Sequence, residues 1–324
     1  MRRICFDKHG EPLRVLRLAN ASSPKPKRGE VLLKMLCAPV HPADLALIRG
    51  VYVRPESYPA VPGLEGLGKV AALGPGVKSV RVGGKYLIAA HRGTWSEEMV
   101  VRAESLIPAP KGLPDELACQ LFINPLTAYG MLDMVKRPGA VVQTAAGSAV
   151  GRLVDQIGRN QGRKIINIVR GDKTARDLKK HGAVHVVVSG GKNWKGKVMR
   201  AAGKTPIVAG FDPIAGKEAL DTLSLLSEGG ELIIYGGLSG KPVPVSAMGV
   251  AAKDLAVRGF WLSPWMQNTP KTKRNAAFRS LASMLSSGEL EIPIAASYGL
   301  QDFKKAIRAA ETPGRLGKIL LKMS

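Results

Sequence analysis

The sequence predicts an α/β protein in two parts, a β-rich domain and a doubly wound parallel sheet, on three observations. Its 324 residues exceed one ordinary core and favour two domains of roughly 150 residues each. Short strands separated by turns fill residues 1 to about 115. From Ala140 to Leu262 six apolar runs alternate with helical patterns, and strands apolar on both faces belong in a parallel sheet covered by helices.

The β-rich part opens with a strand pair split by His9-Gly-Glu-Pro12. Strands follow at Val31–Cys37, Gly68–Gly74 and Lys85–Ala90, with one helical insert from Pro42 to Ile48. Leu113-Pro-Asp-Glu116 changes the rhythm, because Pro and two acids open a helical stretch predicted to run to Met134. The parallel sheet is assigned to Ala140–Thr144, Lys164–Arg170, His185–Val188, Ile207–Asp212, Glu231–Tyr235 and Leu255–Leu262. The tail returns to helix at Asp302–Ala310 and closes with the strand Lys318–Lys322, expected to rejoin the first domain. The expected domains are 1–120, 121–264 and, as the returning part of the first, 265–324.

Hydrophobic residues make up 45% of the chain, yet no apolar run approaches the ~20 residues a membrane span needs. The N-terminus passes straight into a strand pattern rather than a signal sequence. Cys5, Cys37 and Cys119 are odd in number and widely spaced, which suits buried free thiols in the cytoplasm better than a disulfide framework. The net charge of +23 predicts attraction to polyanions. Between residues 160 and 204 twelve basic residues face only Asp172 and Asp177. A solvated basic surface and phosphate ligands are the two readings of that excess.

The first strand of the sheet ends in Thr144-Ala-Ala-Gly-Ser-Ala-Val-Gly151, and Val150, Leu153, Val154 and Ile157 give the next helix an apolar face. A strand, a small-residue turn and a helix N-terminus make a cradle for pyrophosphate, because unpaired amides and the helix dipole face the anion. The spacing is Ala145-x-x-Ser148-x-x-Gly151, so only the third fingerprint position is Gly. An ordinary tight turn is the alternative. Arg170 stands nineteen residues beyond Gly151, where a cofactor without a 2′-phosphate calls for an acid. A guanidinium there favours NADPH, whereas Asp172 is the competing reading.

The runs Leu47-Ile-Arg-Gly-Val-Tyr52, Tyr58-Pro-Ala-Val-Pro-Gly-Leu-Glu-Gly66, Gly93-Thr-Trp95 and Asn124-Pro-Leu-Thr-Ala-Tyr129 stand in one order with Asn167-Ile-Val-Arg170, Tyr235-Gly-Gly237 and Arg258-Gly-Phe-Trp-Leu-Ser-Pro-Trp265. In these runs the chain resembles the trans-2-enoyl thioester reductases of mitochondrial fatty-acid synthesis. Those belong to the quinone-oxidoreductase-like branch of the medium-chain dehydrogenase/reductases. The resemblance implies a GroES-like catalytic domain built from both chain ends, with a Rossmann domain between them. It implies an NADPH site at Asn124, Gly147, Ser148, Ala149, Val150, Gly151, Arg170, Asp172, Tyr235, Gly236, Gly237, Phe260, Trp261 and Lys318, and reduction of an activated C=C bond with Tyr52 as proton donor. His41 and Trp265 are its substrate-side candidates. Departures stand at His41 and Gly147, where members usually carry Asn, and at Ser96, where Arg often follows Gly-Thr-Trp.

Zinc members of the superfamily need His in a Gly-His-Glu run; Leu64 occupies that place and three scattered cysteines cannot build a four-Cys lobe. A zinc-free enzyme is expected. The expected substrate is an enoyl thioester on CoA or an acidic acyl carrier protein, with a quinone or small enone as the alternative. An RNA-binding role for the dinucleotide fold ranks below both, since aromatics are 5% and no nucleic-acid motif occurs. Leu255–Leu262 at the sheet edge predicts a homodimer.

Overall fold

The computed structural model describes residues 1–89 and 93–323. The chain divides into two units, Met1–Ile123 with Ile292–Ser324, and Asn124–Glu291.

In the first unit β1 (Arg2–Cys5) and β2 (Arg17–Asn20) form an antiparallel ribbon, and a one-turn helix, Pro12–Val15, lies in the predicted turn. The main sheet uses β3 (Glu30–Pro39), β4 (Glu65–Leu73) and β5 (Lys85–Ala89) in antiparallel succession. Ala90, the expected end of β5, lies outside the described residues. Two strands that the pattern did not reveal complete this part: β6 (Glu98–Arg102) on β3 and the short β7 (Ile107–Pro108) on β5. The helical insert spans Pro42–Arg49. Gly63, at φ 99°, permits the chain to pass over Trp95, for a Cβ there would lie 2.2 Å from Thr94 Oγ1 and 2.5 Å from Trp95 Cδ1. Trp95 and Phe6 are wholly buried in the resulting core.

The second unit holds β8 (Ala140–Gln143), β9 (Ile165–Val169), β10 (His185–Val188), β11 (Ile207–Asp212), β12 (Glu231–Ile234) and β13 (Ala256–Gly259). They form one parallel sheet in the order β10-β9-β8-β11-β12-β13. Every residue of β8, β9 and β11 is buried, as strands covered by helices on both faces must be. The helix Ala149–Asn160 buries Leu153, Val154 and Ile157, each side chain stabilising the fold by about 2 kcal/mol.

The tail returns to the first unit: β14 (Ile294–Gly299) and β15 (Lys318–Lys322) run parallel, β15 pairs antiparallel with β3, and the helix Phe303–Glu311 packs on β15.

Three expectations are corrected. The single helix predicted from residue 116 to 134 is two, Asp115–Ala118 and Ile123–Met134, because the Glu65 side chain takes the amides of Phe122 and Ile123 at 2.7 and 2.9 Å. The strand predicted over Leu255–Leu262 stops at Gly259. Phe260 turns inward and a helix, Leu262–Asn268, follows. Residues 265–291 belong to the second unit, not the first. Their helix Lys271–Ser287 buries Ala277, Leu281, Met284 and Leu285, and Gln156 bonds both backbone groups of Glu291, at 2.7 and 3.0 Å.

Candidate active site

In the second unit the chain must turn between Gln143 and the helix start at Ala149. Ala145 adopts a positive φ of 48°, and Ser148 caps the helix, its hydroxyl accepting from Gly151 N at 3.1 Å. Gly151 is dictated by contact, since a Cβ there would lie 2.7 Å from Ala145 O and Ala146 Cα. The amides of Ala149 and Val150, at the first two helical positions, have no intrahelical acceptor and lie at the positive end of the helix dipole. Beneath the turn Thr144 Oγ1 bonds the Asp212 carboxylate, which also accepts from Ile214 N at 2.9 Å and Ala215 N at 2.6 Å. Burial pushes the Asp212 carboxyl above its usual range. The buried Arg152 pairs with Asp177 and donates to Gly147 O at 3.2 Å, holding the turn from the side.

Other predicted residues gather round this turn or stand apart from it. The Tyr235 hydroxyl lies buried beside Ser148, and burial pushes its ionisation well above the ordinary tyrosine range. Thr174 fills the space over Gly147. Arg170 and Asp172 are exposed just beyond β9. Gly171 between them, like the exposed Gly237 after Gly236, has no atom within 4 Å of where a Cβ would stand. Asn124 is 6% exposed, and its Nδ2 has no hydrogen-bond partner among the described residues. Phe260 and Trp265 close over Gly130, at 2.6 and 3.2 Å from its notional Cβ, with Trp265 edge-on to Tyr129 at 6.3 Å. Trp261 is 51% exposed. An unpartnered buried amide, two open glycine positions and a capped helix start fit the pyrophosphate and sugars of a dinucleotide.

The first unit contains Tyr52, which is half-buried and packs against the core, and a buried polar cluster. His41 caps the helix Pro42–Arg49 from β3: its amide donates to Asp44 at 2.7 Å and its Nε2 lies 2.8 Å from Glu65 Oε2. Lys318 Nζ lies 3.0 Å from His41 Nδ1. Asp44 also accepts from Leu64 N at 3.0 Å, and burial pushes its carboxyl up. Burial holds the Lys318 ammonium down to about 8, against the pull of Glu65 and Asp44. Cys119 lies alongside; burial and the neighbouring Cys37 push its thiol well above the usual range. All three cysteines are free and buried. The structure thus joins His41 and Lys318, two residues that nothing in the sequence pattern connects. It adds Glu65 and Asp44, whose only signals were the Gly-Leu-Glu-Gly and Val-His-Pro-Ala-Asp runs. Among the described residues no three His, Cys, Asp or Glu side chains are grouped to hold a metal ion.

Residues 27–111 match the alcohol dehydrogenase GroES-like domain and residues 149–277 the zinc-binding dehydrogenase family. The mitochondrial enoyl acyl-carrier-protein reductase of Xenopus tropicalis is 34% identical over 96% of this chain and 92% of its own length. The chain belongs to the medium-chain dehydrogenase/reductases, in the quinone-oxidoreductase-like branch. This dehydrogenase/reductase superposes on an NADPH:quinone reductase candidate from Bacillus thuringiensis with TM-score 0.92 and 28% identity, covering 100% of this chain and 99% of the other. A mycobacterial protein solved in complex with NADPH gives TM-score 0.89 and 26% identity, with 100% of both chains covered. The first unit is therefore the GroES-like part and the second the Rossmann-type part of an oxidoreductase. Among the described residues no helix is long and apolar enough to cross a membrane.

Proposed function

We propose that this oxidoreductase uses NADPH to reduce the carbon–carbon double bond of a trans-2-enoyl thioester carried on CoA or an acyl carrier protein. The observation that carries the reading is the near-full-length likeness to the Xenopus enoyl reductase. NADPH is supported by the mycobacterial neighbour and by Arg170, an exposed guanidinium where a 2′-phosphate would lie. When bound, NADPH supplies the hydride that reaches the β-carbon. The amides of Ala149 and Val150 would take the pyrophosphate, and Asn124, Gly147, Ser148, Gly151, Tyr235, Gly236, Gly237, Phe260 and Trp261 would hold the rest of the dinucleotide. Asp172 would serve the ribose as the competing reading to Arg170, and Lys318 is assigned to the cofactor on the resemblance.

The Tyr52 phenol holds a proton for the α-carbon, because a phenol of ordinary pKa about 10 remains protonated at neutral pH. We assign no zinc to the reaction, since Leu64 stands where zinc members carry His. Trp265 remains the candidate for the substrate side, whereas His41, the other candidate, is buried with both ring nitrogens engaged by Glu65 and Lys318. A cytoplasmic enzyme accords with three free buried thiols, whereas the Xenopus relative is mitochondrial; cell fractionation decides the compartment. Reduction of a quinone or small enone is the second reading, favoured by the Bacillus neighbour.

Crotonyl-CoA and a simple quinone, each with NADPH and with NADH, test the proposal. Crotonyl-CoA turnover with NADPH should exceed both quinone turnover and any reaction with NADH. Quinone reduction alone would replace the first reading by the second.

A further inference from the structure

We propose that His41, steadied by Glu65, is a positioning residue for Lys318, holding its amino group in one direction and helping it to remain a cation. That second role bears on the reaction only through the reading that Lys318 serves NADPH. The placement of Lys318 by His41 stands on geometry alone.

Both oxygens of Glu65 are engaged: Oε1 accepts from Phe122 N and Ile123 N, and Oε2 faces His41 Nε2 at 2.8 Å. A carboxylate only accepts, so the proton of the imidazole belongs on Nε2 and the lone pair on Nδ1. That lone pair is directed at Lys318 Nζ, 3.0 Å away, which therefore donates to it. The backbone that carries the ring is fixed too, where the His41 main-chain amide donates to Asp44. Lys318 is 3% exposed, so water does not substitute for the lost acceptor if the ring is removed.

The groups facing the ammonium come from every neighbouring element. Glu65 on β4 and Asp44 on the helix Pro42–Arg49 favour the charged form, while Arg315, before β15, disfavours it. The Cys119 thiol contributes little, for burial keeps it protonated. Desolvation outweighs the two carboxylates and brings the group down to about 8. The hydrogen bond to Nδ1 works against desolvation, because an ammonium donates more strongly than an amine. Removing the imidazole must therefore lower the midpoint further.

The test is the titration of Lys318 by NMR in lysine-labelled full-length protein, followed from about pH 6 to about pH 11, with NADPH binding measured by fluorescence over the same range. His41→Leu should lower the Lys318 midpoint by about one unit, and NADPH affinity should begin its alkaline fall correspondingly earlier. His41→Asn, whose side-chain oxygen can accept the same bond, should restore both. An unmoved midpoint in a His41→Leu protein with native circular dichroism overturns the inference. A midpoint that moves while NADPH affinity ignores pH supports the placement by His41 but overturns the assignment of Lys318 to NADPH and the pH limit drawn from it. The imidazole nitrogen resonances of the unaltered protein give an independent reading. Protonated Nε2 with bonded, unprotonated Nδ1 is expected, and the opposite tautomer refutes the proposal even if the Leu variant does not fold.

Discussion

Residues in this protein do chemistry according to what surrounds them, and Tyr52 and Lys318 show opposite cases. Tyr52 stands half-buried against the core on a segment whose neighbours Val51 and Val53 are 77% and 47% exposed. With that tyrosine as donor to the α-carbon, Tyr52→Phe should lower kcat for crotonyl-CoA about a hundredfold, the usual worth of one positioned proton donor. NADPH binding should stay unchanged, and undiminished steady-state turnover would transfer the role elsewhere. Lys318 is governed by burial, which lowers it from 10.5 to about 8. Between those values the unfolded chain keeps a proton that the folded chain has released, so this group makes stability rise with pH across that window. The full rise is on the order of 3–4 kcal/mol at about 1.4 kcal/mol for each unit. Urea unfolding at pH 8 and pH 10.5 should show a larger gain in the unaltered protein than in Lys318→Met. Equal gains would mean that Lys318 is not desolvated in the folded state.

Elements were legible in the sequence wherever one short stretch determined them. The strands β8 to β12 were visible as apolar runs because a sheet covered on both faces asks nothing but apolar residues. The turn at Ser148 was visible because its cap and its tight glycine lie three residues apart. What escaped depended on distant partners. The break before Ile123 is imposed by Glu65, 58 residues earlier, and the Lys318–His41 contact spans 277 residues. The resemblance supplied both members of that contact but not their meeting. At the far edge of the sheet, β13 is shorter than its apolar pattern because Phe260 is drawn inward over Gly130. Its four residues are exposed, with Val257 at 41% and Trp261 at 51% close by. An open apolar edge of this kind is a pairing site, and a homodimer through it is expected. Sedimentation at micromolar concentration should give a dimer, and Val257→Lys should weaken it at least about tenfold by placing charge on the edge. A monomeric unaltered protein would remove the assignment.

The whole molecule carries +23, and the excess is partly local: twelve basic residues against two acids between residues 160 and 204, including the exposed Lys173, Arg176, Lys179 and Lys180 on the helix Asp172–Lys180. The ion pairs of the structure do not consume this excess, because pairing leaves net charge unaltered. Its reach is long compared with a hydrogen bond and short compared with the molecule, about 8 Å at physiological ionic strength. Such a field acts on encounter more than on the bound state. If the substrate is a CoA thioester or an acyl carrier protein, both anionic, then kcat/KM should fall as salt rises while kcat changes little. A neutral enone should not share the loss once NADPH is saturating, since the cofactor's own capture no longer limits the rate. A steeper salt slope for crotonyl-CoA than for the enone therefore places an anionic carrier in the positive field. Equal slopes would leave the basic residues as a solvated surface and would withdraw the electrostatic support for an acyl carrier as partner.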